Sequence, residues 1–273
     1  MVELLVVENL RVTYGHGSKA NEVLKGVSLT IRPTETLGLV GESGSGKTTL
    51  GRALLGLVRP SGGAITFEGR DVSRLGRRQR REVARDLQVV FQDPYSSLDP
   101  SMCVRDILIE PLVAQGTRKR EATGRVRDLL DRVGMPGDAL DRYPREFSGG
   151  QRQRVAIARA LALDPKLIVC DEPVSALDLS TQRRVLDLFI ELQQRTGVAY
   201  LFISHDLAVI RHVSHRVAVM NRGEIVETGP ATQITDHPQH PYTQRLWAAH
   251  LVADPVEQSV RREKRRSLQA AGA

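Results

Sequence analysis

The chain has 273 residues, 41% hydrophobic and 26% charged, with two cysteines and a formal net charge of +7. That balance belongs to a folded globular protein with enough core to need no disulfide or metal staple, and it excludes wholesale disorder and a secreted disulfide scaffold. No run of 18 apolar residues occurs, and MVELLVVENLRVTY carries no basic segment ahead of a long apolar run, so neither a membrane span nor a signal peptide is expected. Taken alone, the positive charge raises nucleic acid or an anionic membrane surface as partners.

Short β-branched runs alternate with longer amphipathic stretches, which predicts an α/β fold. Residues 4–12 and 23–31 read as strands joined by a polar loop. The apolar run 36–41 ends in glycine and precedes a predicted helix at 49–58. Residues 62–72 read as a hairpin arm, and the arginine-rich stretch 70–86 as a solvated helical face before a strand at 87–91. DPYSSLDP then breaks the pattern. From about residue 101 to 164 helical periodicity replaces the β-branched runs, the mark of an inserted helical subdomain, placed at about 94–164. Residues 166–171, 199–204 and 215–220 read as buried strands, with a helix at 180–195 and a hairpin turn at 221–224. Beyond Pro255 little remains to bury, and residues 254–273 read as a mobile basic tail.

Gly41-Glu42-Ser43-Gly44-Ser45-Gly46-Lys47-Thr48 matches G-x-x-x-x-G-K-[ST] between a predicted strand and a predicted helix that carries Thr49. Glycines let backbone N–H groups turn inward around phosphate oxygens, and the helix N-terminus adds the positive end of its dipole. Lys47 is expected to reach the β- and γ-phosphates and the Thr48 hydroxyl to ligate Mg²⁺. An ordinary Gly/Ser turn is the bland alternative; the strand–loop–helix context weighs against it, and ATP with Mg²⁺ is the expected ligand.

Leu167-Ile-Val-Cys-Asp171-Glu172 is an apolar strand ending in two carboxylates. Such a strand delivers its last residues to the crevice where α/β sheets bind ligands. Asp171 is expected to hold Mg²⁺ and Glu172 to act as general base on the attacking water. His205 follows another strand, where an imidazole can hydrogen-bond a γ-phosphate oxygen; a histidine with no ligand role is an equal alternative on position alone. Cys170 reads as a small buried hydrophobe.

Phe147-Ser148-Gly149-Gly150-Gln151, followed by RQRVAIARALALDP, completes a set of motifs that resembles the ATP-binding subunit of ABC transporters over about residues 3–250. The resemblance implies a P-loop NTPase core with an N-terminal antiparallel β subdomain and an inserted α-helical subdomain, spanning 1–253. It also implies that the Ser148–Gln151 signature opens a helix and faces the phosphate loop of a second subunit, so that two ATP molecules lie between head-to-tail partners. Tyr14 falls where the family stacks an aromatic on adenine. Gln92 falls at the glutamine that touches Mg²⁺ and the attacking water, and Asp178 at the aspartate of the dimer seam. Phe147 departs from the usual leucine and is expected to pack beneath the loop.

FQDPYSSLDP, Ile109-Glu-Pro-Leu112 and His240-Pro-Tyr-Thr243 narrow the likeness to the dipeptide/oligopeptide (and nickel) importer branch. No cysteine follows Cys170, so the cluster-binding stretch of some members is not expected. The implied partners are a second ATP-binding subunit, identical or paralogous, two multi-span permease subunits and, indirectly, an extracytoplasmic solute-binding protein. The implied location is the cytoplasmic face of the membrane. The rival class is an ABC-type ATPase of a soluble complex, carbon–phosphorus lyase-like or associated with nucleic acid or ribosomes. With aromatics at 4%, the basic stretches 70–86 and 261–266 lack the interleaved rings of a single-strand binder, and no nucleic-acid partner is expected.

Overall fold

The computed structural model describes residues 3–15, 17–93 and 97–249. The predicted basic tail and residues 94–96 of FQDPYSSLDP lie outside them.

Two sheets organise the chain. The first is antiparallel, in the order β2-β1-β4-β5, from β1 (Leu5–Tyr14), β2 (Asn21–Ile31), β4 (Gly62–Phe67) and β5 (Arg70–Asp71). Its strands alternate buried and exposed residues, as a sheet with one dry face must. The second has the order β10-β9-β3-β8-β7-β6, from β3 (Thr36–Val40), β6 (Leu87–Val90), β7 (Leu167–Asp171), β8 (Ala199–Ile203), β9 (Arg216–Asn221) and β10 (Glu224–Pro230). Strands β9, β3, β8, β7 and β6 run parallel, and β10 closes the edge antiparallel to β9.

The parallel strands are mainly apolar, with polar residues chiefly at their ends, because both faces are covered. On β7, Leu167 and Val169 face one core while Ile168 and Cys170 face the other; on β8, Leu201 and Ile203 part from Tyr200 and Phe202 in the same way. One core lies toward the antiparallel sheet and α1 (Lys47–Leu54). The other lies under α3 (Val104–Ala114), α4 (Lys119–Arg132), α5 (Gly149–Leu161), α6 (Leu179–Thr196) and α7 (Leu207–Val213). There Phe189 of α6 packs edge-on against Tyr200 and Phe202, with ring centroids 5.4 Å apart in both pairs.

Helix α2 (Arg77–Asp86) forms in the arginine-rich stretch and buries only Val83 among its ten residues. Helices α3 to α5 occupy the chain between β6 and β7, where strand signals vanish from the sequence. The helix predicted at 49–58 starts earlier and ends sooner: Gly46 caps it in a left-handed conformation, and Gly56, also left-handed, follows its end. Helix α6 starts at the Asp178 cap and stops where Gly197 turns left-handed. Helices α7, α8 (Ala231–Asp236) and α9 (Pro241–Ala249) are too short for periodicity to announce them.

Candidate nucleotide site

Parallel pairing brings the chemistry-bearing residues to one edge of the larger sheet. Leu39 lies beside Ile203, Ile203 beside Asp171, and Cys170 beside Val90. The residues just beyond are therefore neighbours: Gly41 after β3, His205 after β8, Glu172 after β7 and Gln92 after β6. This is the carboxyl edge of the strands, where open α/β sheets place their ligands.

The phosphate loop fits only glycine at its two ends. A Cβ on Gly41 would lie 2.1 Å from the Met220 carbonyl oxygen, and Gly46 has φ of 111° with Leu24 and Met220 closing on it. The loop's open middle includes Glu42, Ser43 and Gly44, all exposed, while Ser45, Gly46 and Lys47 are buried. Lys47 Nζ donates to the carbonyls of Gly41 at 2.7 Å and Glu42 at 2.9 Å. Burial pushes this ammonium below the ordinary lysine range against the opposing pull of Glu172, Asp171 and Glu42. Thr48 and Thr49 sit in the first turn of α1.

The Thr48 hydroxyl donates to Asp171 Oδ1 at 3.2 Å. Burial raises the Asp171 carboxyl above the usual range, and the bond from Thr48 opposes the rise. A hydroxyl and a carboxylate held together beside a phosphate cradle are hard oxygen donors of the kind Mg²⁺ takes alongside substrate phosphates. Glu172 stands at φ of 50°, a left-handed conformation that costs a glutamate about 1 kcal/mol or more. Its N–H continues the ladder to the Ile203 carbonyl at 2.9 Å, and its Oε1 lies 3.0 Å from His205 Nδ1. Gln92 is exposed just past β6. Tyr14 ends β1 opposite Asn21, 40% exposed, two residues along β2 from Val23, whose carbonyl lies against Gly46.

The signature lies elsewhere. Ser148 caps α5 in a reciprocal box: its Oγ accepts from Gln151 N–H at 3.3 Å and its N–H donates to Gln151 Oε1 at 3.0 Å. Phe147 is buried beneath, with the Arg142 guanidinium 4.3 Å from its ring centroid. Gly149 opens α5, and Gly150 packs so closely on α6 that a Cβ would lie 2.3 Å from Thr181 Cγ2. Asp178 accepts from the N–H groups of Ser180 at 3.1 Å and Thr181 at 3.0 Å. The signature and Asp178 thus form one unit through Thr181. Among the described residues, no hydrogen bond or ion pair joins residues 147–151 to residues 41–49.

The ABC transporter family model matches residues 24–175 of this chain. The chain belongs to the ABC transporter family. It is 54% identical over 237 residues to the glutathione import ATP-binding protein GsiA of Escherichia coli O157:H7, covering 86% of this chain. The GsiA of Pectobacterium atrosepticum is 54% identical over 230 residues, 84% of this chain. The chain spans 38% and 37% of the length of these two curated relatives. Among solved structures, cbiO1 of Clostridium perfringens, part of the ABC transporter complex cbiONQ, superposes with a TM-score of 0.79 at 28% identity, covering 87% of this chain and 92% of that one. The ATP-binding cassette MJ0796, solved as a dimer in a post-hydrolysis state with ADP and phosphate, gives a TM-score of 0.74 at 28% identity over 83% of this chain and 98% of its own.

Within this ABC cassette, sequence reasoning missed three residues that shape the phosphate loop. Met220 walls Gly41 and Gly46, and the Gly223 N–H donates to the Ser45 carbonyl at 2.9 Å. Tyr242 accepts from the Glu42 N–H at 3.1 Å. Gly223 left a signal in the NRGE turn, where it adopts φ of 90°. Met220 left none, and Tyr242 stood only in a family marker.

Proposed function

We propose that this chain binds and hydrolyses ATP as the motor subunit of an ABC importer, with dipeptides, oligopeptides or peptides of glutathione's size as the solute class. The observation that carries the reading is the convergence of Lys47, Thr48–Asp171 and Glu172–His205 on one strand edge. The importer assignment draws on the GsiA relatives, whose names specify glutathione import.

Backbone N–H groups from Gly44 to Thr49 cradle the phosphates at the start of α1, and Lys47 exchanges the Gly41 and Glu42 carbonyls for phosphate oxygens. Tyr14 offers its exposed ring to the adenine. Mg²⁺ held by Thr48, Asp171 and Gln92 would neutralise charge on the β- and γ-phosphates. Glu172 accepts the proton of the attacking water, and His205 holds the Glu172 carboxylate and hydrogen-bonds the γ-phosphate.

Of the signature residues, Ser148 is exposed, Gly149 and Gln151 are half-buried and Gly150 is buried, and this helix N-terminus touches no phosphate loop of its own chain. Its partner is the ATP held by a second subunit, identical or paralogous, with Asp178 at the seam. Closure of that dimer on ATP, and reopening after hydrolysis, moves helices α3 to α5 together with Gln92 against two permease subunits at the cytoplasmic face of the membrane. A solute-binding protein outside the membrane delivers the solute. Among the described residues no helix is long and apolar enough to cross a membrane. The domain spans residues 1–253, with the helical subdomain at about 94–164 and a basic tail beyond.

Two measurements test the reading together. The purified chain should hydrolyse ATP with a dependence on Mg²⁺. The native complex, extracted from membranes, should carry multi-span partners; recovery with ribosomes or soluble enzymes instead would favour the soluble-complex class.

A further inference from the structure

The end of the described chain reaches back to the phosphate loop. The Glu42 N–H donates to the hydroxyl of Tyr242, 200 residues away in sequence, at 3.1 Å. Tyr242 is the second residue of α9 and is buried, with 6% of its surface exposed. The Gly41–Glu42 peptide is thereby held on both sides, its N–H by Tyr242 and its Gly41 carbonyl by Lys47.

The segment that delivers Tyr242 is itself tied down. The Gln239 and His240 N–H groups donate to the Glu227 carboxylate of β10 at 2.8 and 3.1 Å. The Tyr242 N–H donates to His240 Nδ1 at 3.1 Å, and the Gln244 amide to the Pro238 carbonyl at 3.0 Å. Thr243 is fully buried and Trp247 is 9% exposed, so α9 docks as a packed element of the core under the helices. Burial also pushes the Tyr242 phenol above its ordinary range, further from neutral pH.

We propose that Tyr242 is a positioning residue for the nucleotide site, fixing the Gly41–Glu42 peptide and so coupling the docking of α9 to occupation of the phosphate loop. This rests on the nucleotide reading above. A loop that must aim N–H groups at phosphate oxygens binds more tightly when it already holds that shape, because less order is lost on binding. When Lys47 leaves the Gly41 carbonyl for a phosphate, Tyr242 still tethers the N–H of that same peptide. Coupling is reciprocal: if docked α9 favours ATP, ATP tightens the docking of α9. The chain's single tryptophan, Trp247, lies five residues beyond Tyr242 on the same helix and reports that docking.

The test titrates the full chain with MgATP by calorimetry and by Trp247 emission. Wild type should bind ATP with a saturable emission change. Tyr242→Phe keeps the ring and removes the acceptor; loss of one hydrogen bond predicts roughly three- to tenfold weaker ATP binding and a smaller emission change. Glu227→Ala loosens the segment without touching loop or tyrosine and should weaken ATP binding in the same direction. A purely structural role would lower the melting temperature of both variants while their folded fraction bound ATP like wild type. Wild-type affinity and emission response in folded Tyr242→Phe would overturn the coupling alone. A wild-type chain that binds no ATP would overturn the nucleotide reading and the coupling together.

Discussion

His205 Nδ1 lies 3.0 Å from Glu172 Oε1, across the ends of two adjacent parallel strands. The contact aims a carboxylate whose backbone is already forced into a left-handed turn, and a strained residue with an imidazole partner at a strand edge is the signature of a group placed for chemistry. Glu172→Gln keeps shape and hydrogen bonding and removes the base. General-base catalysis is worth about 10²- to 10⁴-fold, so ATP turnover should fall by roughly a hundredfold or more while ATP stays bound. Size-exclusion chromatography in MgATP should then show a persistent dimer. Normal turnover in this variant would remove Glu172 from the mechanism.

Under the proposed function Lys47 serves a different step. Its ammonium is buried and spans two carbonyls of the loop, which phosphate binding would require it to release. Lys47→Ala takes away the one cation inside residues 41–49, and nucleotide affinity measured by calorimetry should drop below detection at micromolar protein. Affinity within threefold of wild type would mean that the backbone cradle alone carries binding.

The strand edge was legible because most of it is local signal. A glycine loop with Lys47 and an apolar strand closing on Asp171 and Glu172 declare themselves over a few residues, whereas His205 after the strand at 199–204 has, on position alone, an equal reading with no ligand role. Parallel pairing then follows from two-faced apolar strands and needs no long-range guess. What stayed hidden depends on contacts distant in sequence. Met220 against Gly41 and Tyr242 against Glu42 join segments about two hundred residues apart, and no periodicity carries that information. Short helices were missed for a related reason: seven residues at Leu207–Val213 complete barely two turns, too few for an apolar stripe to repeat.

Asp178 gives a prediction in pH. Hydrogen bonds from Thr181 and Ser180 hold its carboxyl well below the usual carboxylate range. A folded-state value depressed in this way contributes stability above the unfolded value, near 3.8, and loses it as pH falls toward the folded value. Asp178→Ala removes the α6 cap and should melt at a lower temperature than wild type from about pH 5 to pH 8, the gap narrowing only below about pH 4. Asp178→Asn, also a good cap, should lie between them. A gap that closed already at about pH 6 would show that the carboxylate is not held by these bonds.

The two thiols should separate cleanly. Cys170 is wholly buried in β7, and burial raises its thiol well above the ordinary range, which disfavours the reactive thiolate. Cys103 is partly exposed ahead of α3 and donates to Asp106 Oδ2 at 3.3 Å. Iodoacetamide under native conditions should modify Cys103 alone, with Cys170 reacting only after denaturation. Peptide mass mapping reads this directly, and native labelling of Cys170 would mean that β7 opens.

Gly150 poses a conflict between two magnitudes. Alanine at a helical position gains about 1 kcal/mol in propensity over glycine. Here the added Cβ would sit 2.3 Å from Thr181 Cγ2, and overpacking of that kind costs about 1–3 kcal/mol. Thr181 cannot turn aside freely, being β-branched and in the first turn of α6 with its N–H committed to Asp178. The clash wins, and Gly150→Ala should be less stable than wild type by up to about 2 kcal/mol in urea denaturation. Adding Thr181→Ala removes the offending methyl, and the next nearest atom, Thr181 Cβ, lies at an ordinary 3.8 Å. The double variant should therefore recover most of the loss, a coupling that separate effects at two sites would not produce. A Gly150→Ala chain at least as stable as wild type would show that α5 and α6 yield at this contact, and the rigid link from Ser148 through Thr181 to Asp178 would go with it.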